Sequence, residues 1–275
     1  MDDLKPASSP IPFQAFQYRS VEGTRLNIFH FPAQTEVSDP APAIVYFYGG
    51  GWVGGRVSHL QPQAEYFASL GVSGFLVHYR VVSRDQSTPF DSVSDAQSAV
   101  RWVREHAEKF NVNPNKIVAM GGSAGGHLAG ACAILSADSS PGVSCIPNAL
   151  ALLNPVTDTT QSGYGSKLIG DRCEELSLTH HIRQKLPPSI VLHGTADTIV
   201  PFENSERFCR LLVDSGNDTE LVSYPEKGHG FFNYQASTDS KPSEDFLDTL
   251  TRIHAFLNHI DFLDSPPIVI AFFNI

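Results

Sequence analysis

Five short apolar runs stand out along the chain: AIVYFY (43–48), GFLVHY (74–79), KIVAM (116–120), ALALLN (149–154) and SIVLHG (189–194). None alternates strictly between apolar and polar positions, so each predicts a strand buried on both faces. Between them the period changes. In 91–109, Val93, Ala96, Val100, Val103 and Ala107 fall on one face of a helix. Segments 124–137, 203–215 and 243–262 also predict helices, and the mixed stretch 59–70 is compatible with another. FQAFQYRS and RLNIFHFP, split by the turn residues Glu22 and Gly23, predict two strands ahead of the first run, and TELVSYP predicts one near the end. Apolar strands alternating with helices predict an α/β fold: a mostly parallel central sheet with helices on both faces. No internal repeat interrupts it.

Three stretches stand outside this alternation. Residues 1–15 carry prolines and little periodicity, and predict a mobile arm. Residues 157–187 are polar with weak periodicity between two strands. Insertions of that length often cover sites, so a lid is expected there. The tail SPPIVIAFFNI (265–275) is apolar after two prolines. Pro266 and Pro267 should stop the preceding helix and start an extended chain, with Ile268, Ile270 and Phe272 facing one way. Docking is expected for such a tail, and so is a contact across a homodimer interface. A chain of 275 residues with 41% hydrophobic residues suits one large α/β domain.

Charge removes several function classes. The net charge is −10, from 19 basic and 29 acidic residues. A surface of that sign does not attract nucleic acid or anionic membranes. The start, MDDLKPASSP, lacks the basic and apolar regions of a secretion signal, and no apolar run is long enough to span a bilayer, so a cytoplasmic location is expected. Cys132, Cys145, Cys173 and Cys209 show no CxxC spacing, and no H-E-x-x-H occurs. Neither a metal, a cofactor nor a disulfide framework is expected. The expected partner is a small molecule.

The candidate chemistry gathers at strand ends. GGSAGG (121–126) follows the strand KIVAM and precedes an Ala- and Gly-rich helix. It matches G-x-S-x-G, which by itself arises often by chance. At a strand-to-helix junction it marks Ser123 as a nucleophile on a strained turn, where the bland alternative is a helix N-cap. A hydroxyl nucleophile needs a base. His229 lies in GHGFF after TELVSYP, and Asp197 lies in the loop after SIVLHG. The chain order Ser123, Asp197, His229 places all three at carboxyl ends of strands, where open α/β sheets build their sites. His229 would take the serine's proton and Asp197 would orient the imidazole. The glycines of YGGGW (48–52) let Gly50 and Gly51 offer N–H groups to an oxyanion, with Ala124 completing the hole. Gly-rich turns serve other ends too, but this loop lacks the Walker Lys-Ser/Thr and the Rossmann spacing. Trp52, next in line, is expected to narrow the acyl pocket. His78, His127, His180, His181 and His193 predict ordinary structural histidines.

With these motifs the chain resembles the hormone-sensitive-lipase-type carboxylesterases of the α/β-hydrolase superfamily, in particular their small microbial acetyl-esterase and xylan-esterase-like branch. The resemblance runs from about residue 16 to 262. Tyr79-Arg80, Pro89-Phe90, Asp95-Ala96 and Arg101-Trp102-Val103 fall where that family carries its YR, P-F/Y, DA and RW segments. It implies an α/β-hydrolase fold with a short lid, nucleophile Ser123, acid Asp197, base His229, and oxyanion donors at Gly50, Gly51 and Ala124. It implies hydrolysis of short acyl esters, acetyl to butyryl, including acetylated sugars. Related folds cleave formyl-kynurenine amides or aminoacyl peptides with the same triad, and a catalytically silent binding protein is a third alternative. The chain departs from the family in two places: Tyr48 stands where the oxyanion loop usually begins with histidine, and Gly122 stands where many members carry an acid.

Overall fold

The five apolar runs form the middle of one eight-stranded sheet in a computed structural model that describes residues 4, 11–34, 40–136, 142–234 and 242–273. In chain order the strands are β1 (Gln14–Val21), β2 (Thr24–Phe31), β3 (Ala41–Phe47), β4 (Ser73–Val77), β5 (Val112–Gly122), β6 (Ala149–Leu153), β7 (Ser189–Gly194) and β8 (Thr219–Tyr224). They lie side by side as β1-β2-β4-β3-β5-β6-β7-β8. β1 pairs antiparallel with β2, and β2 with β4. From β4 to β8 every neighbouring pair is parallel. β4, β6 and β7 are buried at every position, as unbroken apolar runs require, whereas the edge strands β1 and β8 are mostly half-buried or exposed.

The helices are α1 (Gln61–Ser69), α2 (Val82–Asp85), α3 (Pro89–Glu105), α4 (Ala124–Ile134), α5 (Ser166–Ile169), α6 (Cys173–Leu176), α7 (Phe202–Asp214), α8 (Glu244–His259) and α9 (Val269–Phe272). α3 starts at a capping box: the Thr88 hydroxyl accepts from the Asp91 N–H while the Asp91 carboxylate accepts from the Thr88 N–H, with Pro89 in the first turn. Its buried face includes Val93, Ala96, Val100 and Val103. Asp95 of the same helix is fully buried. It accepts from the Arg80 backbone N–H, from the Arg80 guanidinium at 2.8 and 3.0 Å, and from Arg19 at 2.8 Å. This network fixes the turn after β4, and it accounts for the YR and DA segments as one structural unit.

Two expectations about the ends change. Within the arm, Leu4 and Ile11 are buried in the core and Gln14 already belongs to β1. Residues 1–3 and 5–10 of the arm lie outside the described residues. Within the tail, Val269–Phe272 is helical rather than extended. α9 lies beside α8, Val269 is buried, and Phe272 and Phe273 stack at the edges of Tyr66 and Phe246. α8 ends at His259, ahead of the prolines rather than at them, and the Ser265 carbonyl is tied back to it by His254 and Asn258 at 2.6 and 3.0 Å. A helix brings Phe272 and Phe273 together onto the aromatic side chains of α1 and α8, which an i, i+2 strand would not do.

Candidate active site

Because β3 and β5 to β8 are parallel, their carboxyl ends open on one edge of the sheet. The chain reverses direction of progression between β3 and β5, with β4 on one side and β5 on the other. That switch point is where a crevice forms. Ser123 follows β5 there with φ +57° and ψ −123°, a conformation costly for any side chain, about 1–3 kcal/mol. The surroundings hold it. The Ser123 N–H donates to the Leu153 carbonyl at 2.9 Å, and its own carbonyl accepts from His127 and Val156 at 3.0 and 3.2 Å. Backbone contact explains the glycines around it. A side chain at Gly125 would overlap the carbonyls of Phe47 and Tyr48, and one at Gly121 would overlap the carbonyl of Gly125. Only glycine lets α4 start this close to β3.

Asp197 sits in the loop after β7 and His229 in the loop after β8. The two loops are tied by N–H donors from Thr195 to the Tyr224 carbonyl at 2.9 Å and from Ala196 to the Lys227 carbonyl at 3.0 Å. The result is a hydrogen-bonded chain. His229 Nε2 lies 2.8 Å from Ser123 Oγ, and His229 Nδ1 lies 2.7 Å from Asp197 Oδ2. With Nδ1–H donating to the carboxylate, the Nε2 lone pair faces the Ser123 hydroxyl, which donates to it. Burial by itself would raise the Asp197 carboxyl. Hydrogen bonds from His193 and His229, and from the N–H groups of Val200 and Ile199 at 3.0 and 2.8 Å, overcome it and hold the group well below the usual carboxylate range. The anion is therefore fixed next to the imidazole.

Two partners in this arrangement carry no sequence signal. His193 is buried at the end of β7 and places Nε2 3.1 Å from Asp197 Oδ2, with Nδ1 2.7 Å from the Ser205 hydroxyl. Asn154, buried at the end of β6 with φ +32°, puts its amide nitrogen 3.1 and 3.3 Å from the two ring nitrogens of His229. Such near-equal distances place the amide against the face of the ring, because the carbon between the nitrogens blocks an in-plane approach to both.

The loop after β3 carries Gly50 at φ +135° and Gly51 at φ +62°. Among the described residues, the N–H groups of Gly50, Gly51 and Ala124 form no turn or loop hydrogen bond with the backbone. Tyr48, in the place of the family's histidine, has its own partner. The Tyr79 hydroxyl donates to the Tyr48 carbonyl at 2.6 Å, the Tyr48 hydroxyl donates to the Tyr79 carbonyl at 3.2 Å, and the rings stack 4.2 Å apart. Burial pushes the Tyr79 hydroxyl well above its ordinary pKa, so it remains a donor. Trp52 requires a correction. Its positive φ (+60°) turns the side chain beneath the loop, where it is fully buried and meets the His127 ring edge-on at 5.0 Å. It does not line the cavity. His127 stays structural, its pKa pushed down to about 4 by burial, with Nε2 2.7 Å from the Leu176 carbonyl.

A cavity of about 720 Å³ opens over Ser123 and His229. Gly49, Gly50, Gly51, Tyr164, Arg56, Phe232, Asn233 and Tyr234 are among its lining residues. Tyr164 is the contribution of the 157–187 insertion. Much of that insertion is anchored in the core: Thr157, Asp158, Thr159, Leu176 and Leu178 are buried. No group of three or more His, Cys, Asp or Glu able to hold a metal occurs among the described residues. The four cysteines are free thiols, and no helix among the described residues is long and apolar enough to cross a membrane.

A parallel sheet with a Ser-His-Asp chain at its switch point defines the class as α/β-hydrolase. Comparison with known proteins agrees. The chain matches the BD-FAE family over residues 26–150 and the prolyl oligopeptidase family over 90–253, more than half its length. It is 37% identical to Thermogutta terrifontis esterase 2, solved as a tabun adduct, with a TM-score of 0.86 over 96% of this chain and all of that one. A propionate-bound structure of an esterase from the same species gives 38% identity and a TM-score of 0.83, covering 92% of this chain and 96% of that one. An acetylxylan esterase of Xylanibacter ruminicola is 30% identical over 206 residues, which span 69% of this chain and 41% of that protein. A probable isoprenylcysteine alpha-carbonyl methylesterase of Oryza sativa is 29% identical over 78% of this chain and 58% of its own length. The chain thus spans about half the length of these two curated relatives. It belongs to the esterase branch of the α/β-hydrolase superfamily.

Proposed function

We propose that the protein is a serine carboxylesterase for short acyl esters, acetyl to butyryl, with acetylated sugars within its substrate class. The observation that carries this is the unbroken chain of short hydrogen bonds from Asp197 through His229 to Ser123, opening onto a cavity walled by the Gly50–Gly51 loop. Ser123 Oγ attacks the ester carbonyl as its proton passes to His229 Nε2. The carbonyl oxygen becomes an oxyanion beside the N–H groups of Gly50, Gly51 and Ala124, at the positive end of α4. Collapse breaks the ester C–O bond, and the proton on His229 leaves with the alcohol. Water then attacks the acyl-enzyme by the same steps, with His229 as base, and restores Ser123.

Support for short acyl groups comes from the Thermogutta esterase, whose structures hold propionate or butyrate. A second function, cleavage of a small amide by the same three residues, is favoured by the match to the prolyl oligopeptidase family. A panel of nitrophenyl esters from acetyl to decanoyl, run beside N-formylkynurenine, separates the two. The expected result is a kcat/KM maximum between acetyl and butyryl. A maximum at decanoyl, or turnover of the amide alone, contradicts the proposal.

A further inference from the structure

We propose that the Tyr164 hydroxyl is a catalytic hydrogen-bond donor to the oxygen that gains negative charge during ester cleavage, acting beside the backbone donors of the Gly50–Gly51 loop. This rests on the esterase function proposed above. Tyr164 shares the cavity with Ser123, His229 and Gly51. Its hydroxyl lies directly against the oxyanion loop, since a methyl group built on Gly51 would come within 2.6 Å of the hydroxyl oxygen. Among the described residues that hydroxyl has no protein partner, so its proton is available to a bound molecule.

The hydroxyl is also held in place, which a preorganised donor needs. The Tyr164 N–H donates to the Asp158 carbonyl at 3.0 Å. Asp158 is buried; its carboxylate accepts from the Thr160 N–H at 2.8 Å and pairs with Arg207 at 3.3 Å. Trp52 backs the phenol ring, with centroids 6.0 Å apart. Gly165, at φ +95°, closes over the same indole so tightly that a side chain there would come within 2.7 Å of it. The buried Trp52 and the insertion thus form one mount, and what the mount presents to the cavity is the Tyr164 hydroxyl. A phenol in this role gives a hydrogen bond and keeps its proton, so the reaction's proton balance is unchanged.

The test is Tyr164→Phe in the full chain, assayed on a nitrophenyl butyrate and an ethyl butyrate beside wild type and Ser123→Ala. Both acylation and deacylation pass through an oxyanion, so kcat and kcat/KM should fall together, on the order of 10- to 100-fold with either leaving group. KM should stay within about twofold and the melting temperature should hold, as the ring and its packing remain. An unchanged kcat overturns the inference, and so does a rise in KM alone, which would mark a ground-state contact. If wild type hydrolyses both esters, Ser123→Ala neither, and Tyr164→Phe matches wild type, only the Tyr164 role fails. If wild type hydrolyses neither, the esterase function fails with it.

Discussion

Replacing Tyr79 with Phe removes one hydroxyl and keeps the ring, yet it takes a donor from the carbonyl that leads into the oxyanion loop. The lost bond is the 2.6 Å donation to the Tyr48 carbonyl, and both residues are buried. Losing a hydrogen bond to a buried acceptor costs about 1–3 kcal/mol. At roughly 2–4 °C per kcal/mol for a domain of this size, Tm should fall by about 5 °C. The consequence for turnover follows from position: Tyr48 adjoins Gly49, Gly50 and Gly51, and small displacements of donors are expensive in the transition state. We expect kcat to fall on the order of 10-fold while KM changes little. Ser189→Ala is the control. It loses a 3.0 Å bond to Thr219 at the amino end of β7, on the opposite edge of the sheet, so it should lower Tm without lowering kcat. The assay is steady-state hydrolysis of a nitrophenyl acetate with thermal melts on all three proteins. If Tyr79→Phe melts lower but turns over normally, like the control, the reciprocal tyrosine pair does not position the loop.

Removing the second histidine on Asp197, by His193→Phe, should lower kcat about 10-fold with a reduced Tm, read by the same two assays; an unchanged kcat would show that the Ile199 and Val200 N–H groups and His229 hold the carboxylate without His193. Acid should destabilise the fold in two stages. Burial pushes His30 and His127 down to about 4, below the unfolded value of about 6.5, so the stability they add at neutral pH is lost as pH falls from about 6.5 to 4. Asp197, held lower than its unfolded value, withdraws its share only below about pH 4. Melts across pH 3–8 check this, and a Tm flat from 7 to 4.5 would contradict it. Deleting the chain after Pro266 should expose Tyr66 and Phe246 and cost at least the roughly 1.5 kcal/mol of burying Val269, seen as a lower Tm; an unchanged Tm would mean that α9 does not contribute.

The parts of the site visible in the sequence are those whose position follows from the backbone. Ser123, Asp197 and His229 each follow the carboxyl end of a predicted strand, and a parallel sheet brings such ends together whatever the side chains do. Gly121 and Gly125 are legible for the same reason, as backbone contacts that exclude a side chain. The direction of the Trp52 side chain depends on one positive φ angle, which no pattern of apolar positions records. His193 and Asn154 looked like ordinary strand ends; their roles depend on which strands are neighbours and how two rings face each other. Tyr164 lies in a segment without periodicity, positioned by Asp158 and Trp52 rather than by an element of its own. The tail shows the limit of short apolar runs. IVIAFF fits a strand or a helix equally well, and the aromatic side chains of α1 and α8 decided between them.

The central claim is that Ser123 forms the covalent intermediate. Treating the full chain with paraoxon and locating the adduct by peptide mass spectrometry tests it most directly. The account predicts one phosphoryl group per chain, on Ser123, with label and residual esterase activity changing in step, and no label on Ser123→Ala. An adduct on another residue, or full activity in a protein labelled at Ser123, would contradict it.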